Sequence, residues 1–141
     1  MQRTASAQWS GDLKSGKGSL KVGSGAFEGP YSFQSRFETG GGTNPEELLG
    51  AAHAGCFSMA LAVALSNAGH VPTSIETTAT VTAEKTDAGF AITRIDLATK
   101  GRVPGVSAAD FQRMAEATKV GCIVSKALSA VPMRLTAELV A

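Results

Sequence analysis

Only two cysteines, Cys56 and Cys122, occur in this chain of 141 residues. That is too few for a disulfide scaffold, and in a reducing compartment such residues are more often free thiols than a structural bridge. No CxxC or HxxxH spacing is present, so the local patterns typical of a zinc site are missing. The 13 lysines and arginines are scattered and the net charge is +1, which disfavours nucleic acid as a partner. The opening MQRTASAQWS holds no apolar stretch, so a secretory signal is not expected and a cytoplasmic location is the default. There is neither an internal repeat nor a low-complexity linker, and the length suits one compact domain over residues 1–141 with a sizeable core.

Against these absences stands one long uncharged run. TNPEELLGAAHAGCFSMALAVALSNAG, from Thr43 to Gly69, predicts a single helix. Asn44 is a natural N-cap, Pro45 suits the first helical position, and Glu47 falls where a capping partner belongs. Asn67, Gly69 and Pro72 close the segment. About 25 helical residues would span nearly 40 Å. From Leu48 to Leu65 no side chain is charged and apolar groups occupy every side, so the helix must be covered all round. The run is long enough for a membrane span, but it is rich in Ala and Gly, contains His53 and Ser58, and lacks basic flanks or an aromatic belt. A core helix whose second covering layer comes from another copy of the chain is the better reading. A homodimer, with no membrane partner, follows as an expectation.

The rest of the chain alternates apolar and polar residues in short runs. Ala5, Ala7 and Trp9, then Leu20 and Val22, predict a pair of strands, and GSGAFEGP reads as a flexible loop. Tyr31, Phe33, Ser35 and Phe37 predict a third strand with one aromatic face, from which Arg36 should point away. Ile75 to Ala83 alternate along a half-buried strand that Asp87-Ala88-Gly89 turns back. The returning strand has Phe90 and Ile92 in one phase and Ile95 and Leu97 in the other, which implies a bulge or burial on both faces. Ser107 and Asp110 form a capping pattern for a helix carrying Phe111 and Met114, Gly121 interrupts it, and Cys122 opens a shorter helical segment before a last strand from Met133 to Leu139. This order favours an α+β fold with a largely antiparallel sheet.

Several residues carry alternative readings. Cys56, in mid-helix, is by composition alone a small buried hydrophobe. Cys122 starts a helical segment, where the helix dipole favours negative charge on sulfur. His53 and Cys56, three positions apart, could join Glu46 or Cys122 around a metal, but His53 reads more simply as a polar residue at an interface or a sheet contact. Gly40-Gly41-Gly42 lacks the Lys-Ser/Thr pair of a phosphate loop and reads as a connector. Glu46 is explained as an acidic residue in the first helical turn.

Taken together, RFETGGGTNPEELLGAAHAGCFSMAL from Arg36 to Leu61, PTSIETTATV, DAGFAIT and the distal GCIVSKAL resemble the OsmC/Ohr family of thiol peroxidases, in particular its OsmC branch. The resemblance implies an intertwined homodimer of α+β subunits in which largely antiparallel sheets wrap a long central helix from each subunit. It implies reduction of organic hydroperoxides, and less efficiently hydrogen peroxide, without metal, haem or other cofactor. Cys56 matches the peroxide-attacking cysteine, Cys122 the resolving cysteine, and Arg36 and Glu46 the charged pair serving the thiolate. A dithiol reductant, lipoyl-type in the Ohr branch, would close the cycle. A free thiol is only a few per cent thiolate at neutral pH, and a neighbouring arginine favours the charged form, which gives the pair its purpose. Glu46 and Cys56 are ten positions apart, so a straight helix sets their Cα atoms roughly 15 Å apart and a composite site across the dimer is expected, the alternative being a sharp bend near Gly50 or Gly55 that brings the groups together in one chain. The alternative is a non-catalytic thiol redox sensor or apolar-ligand carrier using the same two sulfurs.

Overall fold

The computed structural model describes all 141 residues. Two compact units are distinguished, Met1–Leu48 and Leu49–Ala141. The first unit is a three-stranded antiparallel sheet in the order β1 (Ala5–Ser10), β2 (Lys17–Val22), β3 (Glu28–Tyr31), followed by the short helix α1 (Phe33–Phe37). Across this sheet Trp9 pairs with Gly18 and Gly18 with Tyr31. The two rings meet over the glycine with centroids 5.4 Å apart. A Cβ on Gly18 would lie 2.3 Å from the Tyr31 ring and 2.8 Å from the Trp9 ring, so only glycine lets them close.

Two segments of this unit depart from the pattern that their sequence suggests. GSGAFEGP is not all loop: Glu28–Tyr31 forms the edge strand, where Pro30 is tolerated because no further strand pairs there. Phe33–Phe37 is helical rather than extended. The alternation of Phe33, Ser35 and Phe37 also fits a helix, because Phe33 and Phe37 are four apart, and their rings lie 5.2 Å from each other. Ser32 decides the matter. Its hydroxyl accepts from the Ser35 amide at 3.1 Å while the Ser35 hydroxyl accepts from the Ser32 amide at 2.8 Å, a reciprocal cap that starts the turn.

The long helix α2 spans Pro45–Asn67, and Asn44 caps it as expected, its Oδ1 accepting from the Glu47 amide at 2.8 Å. The Glu47 carboxylate, however, binds the Thr43 hydroxyl at 2.6 Å.

In the second unit β4 (Ser74–Thr86) and β5 (Gly89–Arg102) form a long antiparallel hairpin, and β6 (Met133–Leu139) lies beside β5 in parallel. The parallel pair departs from the simple hairpin order that the sequence suggests. It arises because α3 (Ala108–Gly121) and α4 (Ile123–Ala127) form a crossover between β5 and β6, which returns the chain to the starting end of the sheet. The expected bulge is present: Ile92 pairs with Ala83 and Arg94 with Thr82, leaving Thr93 as the extra residue. That shift lets Ile92 join Ile95 and Leu97 in the core despite their opposite sequence phase.

Within this unit α2 buries Gly50, His53, Phe57, Leu61 and Leu65, the recurrence of one helical face. Gly50 allows close approach, since a Cβ there would meet the Ala79 carbonyl at 3.2 Å. Ser58 donates to Thr77 at 2.8 Å, and Thr77 shares a 3.0 Å bond with Thr99, tying helix to sheet. The same sheet face takes Phe111 of α3, whose ring occupies the space where a Cβ of Gly101 would fall, 2.5 Å away. By length and apolar composition α2 would suffice to cross a membrane, yet its stripe packs on this sheet. Its other sides are open: Met59 is 73% and Val63 52% exposed.

Candidate active site

In the first unit, α1 presents Arg36 to Glu46. The Ser35 hydroxyl donates to the Thr43 carbonyl at 2.7 Å and the Asn44 side-chain Nδ2 to the Ser35 carbonyl at 3.1 Å, so α1 is held against the start of α2. Arg36 Nε and Nη2 then both reach Glu46 Oε1, at 2.9 and 2.8 Å. Such charge-assisted bonds from a planar guanidinium fix its orientation. The second carboxylate oxygen, Oε2, is buried without a partner. The sequence expectation that Arg36 would turn from the aromatic face fails with the strand that carried it. Its guanidinium lies 5.2 Å over the Phe37 ring and lines a cavity of about 260 Å³ with Trp9, Leu13, Tyr31 and Phe33. An apolar concavity with one cationic wall suits a hydrophobic molecule carrying a polar oxygen.

In the second unit both cysteines are free thiols. Cys56 lies in mid-α2, half-buried, against the core that contains Cys122, which is 3% exposed. Cys122 ends α3 and caps α4, as its sequence position suggests. Its sulfur accepts from the Ser125 amide at 3.3 Å, and its thiol donates to the Ser125 hydroxyl at 3.0 Å. The Ser125 hydroxyl is in turn 2.7 Å from His53 Nε2. His53 has no exposed surface, and burial lowers its pKa from the ordinary histidine value, so it is neutral at physiological pH. Its Nδ1 is buried without a partner.

The structure thus joins Arg36 to Glu46, and it links Cys122 through Ser125 to the histidine one helical turn before Cys56. His53 is engaged by a serine, and no group of three or more His, Cys, Asp or Glu side chains gathers in a metal-holding cluster. Ser125 escaped sequence reasoning. The available signal was its place three residues after a helix-starting cysteine, the spacing of a cap contact.

Residues 38–136 match the family model described as OsmC-like protein. The matched span contains Glu46, both cysteines, His53 and Ser125, while Arg36 lies just before it. Over 131 residues, 92% of this chain and 92% of the relative, the sequence is 51% identical to Peroxiredoxin OsmC of Escherichia coli (strain K12). The same identity and coverage hold for Peroxiredoxin OsmC of Shigella flexneri. Among solved structures, the OsmC-like protein from Mycoplasma pneumoniae superposes with a TM-score of 0.76 at 15% identity, covering 100% of this chain and 99% of the other. The organic hydroperoxide resistance protein OhrB of Bacillus subtilis gives 0.72 at 22% identity, covering 97% and 98%. At those identities the superpositions speak for the fold, and the sequence match carries the relationship. The chain belongs to the OsmC family.

Proposed function

We propose that this protein is a cysteine-based peroxidase that reduces organic hydroperoxides, and less efficiently hydrogen peroxide, to alcohols and water. The observation that carries the reading is the 51% identity, over 92% of both chains, to a peroxiredoxin of the OsmC family, which places the enzyme among oxidoreductases. In the proposed cycle the Cys56 thiolate attacks the distal peroxide oxygen. An S–O bond forms, the O–O bond breaks, and the leaving alkoxide takes a proton to become an alcohol. Cys122 then condenses with the Cys56 sulfenic acid, releasing water and forming a disulfide. A dithiol of lipoyl type reduces that bond by thiol exchange.

Arg36, oriented by Glu46, is assigned to the thiolate and the peroxide oxygens. The aromatic cavity beside it supports an alkyl or aryl hydroperoxide as substrate. The active form is a homodimer, a reading supported by the uncovered sides of α2, on which Met59 and Val63 stand exposed. The helix rise between Glu46 and Cys56 exceeds the reach of a glutamate, so the charged pair of one subunit serves the sulfur of the other. Residues 1–141 act as one functional domain, in line with a family match that runs from 38 to 136. The site is assigned no metal or cofactor, and the enzyme is assigned to the cytoplasm.

Steady-state consumption of cumene hydroperoxide, with dihydrolipoamide compared against thioredoxin and glutathione as donors, tests the reading. Turnover that vanishes in Cys56→Ser supports it. A single stoichiometric oxidation with every donor would instead identify a redox sensor.

A further inference from the structure

The buried chain of side chains from Cys122 through Ser125 to His53 is longer than a helix cap requires. A cap needs only the sulfur and the Ser125 amide, 3.3 Å apart. Here the serine hydroxyl is committed as well, at 3.0 Å from the sulfur and 2.7 Å from His53 Nε2, across 72 residues of sequence. The bond directions are constrained. With the thiol donating to the Ser125 oxygen, the serine proton is left for Nε2, so neutral His53 carries its own proton on Nδ1. That N–H is buried with no acceptor, an unfavourable state for a ring whose only bond is made on its other side. A ring serving solely as packing would be replaced with gain by an apolar side chain.

From this geometry we infer that His53 and Ser125 form a proton relay that activates Cys122 for attack on Cys56. The inference rests on the resolving role proposed for Cys122. The thiol proton passes to the Ser125 oxygen as the serine proton passes to His53 Nε2. The hydroxyl then points back and, with the Ser125 amide, donates to the new thiolate. The thiolate attacks the Cys56 sulfenic sulfur, an S–S bond forms and the S–O bond breaks. Hydroxide leaves as water on taking up the equivalent of the proton that His53 received. Because His53 is neutral, Nε2 has a lone pair to accept with. Its place one helical turn before Cys56, with Cβ atoms about 5–6 Å apart by helix geometry, sets the relay beside the sulfur that is attacked. Ser125 touches the reacting sulfur, and His53 acts through it.

The test avoids peroxide altogether. Excess Ellman's reagent converts Cys56 to a mixed disulfide, releasing one thionitrobenzoate. Attack by Cys122 then expels a second in a first-order phase independent of reagent concentration. Ser125→Ala and His53→Gln should each slow that second phase tenfold or more, and the double variant should be no slower than the worse single. Ser125→Thr, which keeps the hydroxyl, should restore most of the rate. Glutamine keeps a hydrogen bond to Ser125 but takes up no proton. A His53→Gln second phase as fast as that of the wild type, with fold verified by circular dichroism, would therefore overturn the relay. Absence of any second release in the wild type would overturn it too, together with the resolving role of Cys122, while peroxide consumption by Cys56 is scored separately with cumene hydroperoxide. If Ser125→Ala does not fold, Ser125→Gly and His53→Asn decide by the same readout.

Discussion

Arg36 places two nitrogens on a single oxygen of Glu46, at 2.9 and 2.8 Å, and leaves the other carboxylate oxygen buried and unpaired. The guanidinium is aimed rather than merely neutralised. Arg36→Lys keeps the charge but loses the planar fork, and it should lower kcat/KM for cumene hydroperoxide by about 10–100-fold, with Glu46→Ala at least as severe. Unchanged kinetics in Arg36→Lys would show that charge alone is sufficient.

The two thiols should be unequal. Cys56→Ser is expected to abolish peroxide reduction. Cys122→Ser should consume about one equivalent of peroxide per chain and leave a sulfenic acid that dimedone traps, because attack precedes resolution. Mass spectrometry of the dimedone adduct checks both, and the reverse pattern would exchange the roles.

Subunit mixing tests the composite site. In a heterodimer of Glu46→Ala and Cys56→Ser chains, a site built across the interface collects both lesions at one end and leaves the other intact, restoring about half of wild-type activity per dimer. A site built within one chain gives no recovery. Sedimentation should show no folded 14.4 kDa species at micromolar concentration, as expected if the open sides of α2 are the interface.

Gly101→Ala should destabilise the fold. The added methyl would fall 2.5 Å from the ring of Phe111, itself fully buried, so one of the two must shift and a loss of about 1–3 kcal/mol is expected by urea titration. Gly121→Ala, at the end of α3 where a Cβ meets nothing within 4 Å, is the control and should be neutral or stabilising.

Burial makes His53 harder to protonate in the native state than in the unfolded chain. The unfolded state therefore binds more protons below the ordinary histidine value of about 6.5. The stability conferred by a neutral His53 is complete above that pH and declines as the pH falls through it towards the lowered native value. The melting temperature should drop between pH 7 and 5, and less steeply in His53→Gln. Parallel profiles in the two proteins would refute this account.

How much of this was legible beforehand depends on the range of the interaction. Asn44 and Ser107 announce their helices, and Cys122 its cap, because each cap is made with an amide three residues ahead. The β4–β5 hairpin and its bulge show in the alternation and its change of phase. The 51% relationship to a known peroxiredoxin is likewise a property of the sequence, carried by motifs around Cys56 and Cys122. Phe33–Phe37 was ambiguous because residues at positions 33, 35 and 37 satisfy a strand while 33 and 37 satisfy a helix turn. The reciprocal bond between Ser32 and Ser35 settled it, though neither serine is distinctive in the string. The parallel placing of β6 depended on where α3 lands, which Phe111 and Gly101 decide across the core. Ser125 and His53 meet over 72 residues with no periodicity to connect them. Local hydrogen bonds and side-chain period were written in the sequence, whereas the partners of buried polar atoms were chosen by tertiary packing, which alone brings distant donors and acceptors together where water cannot satisfy them.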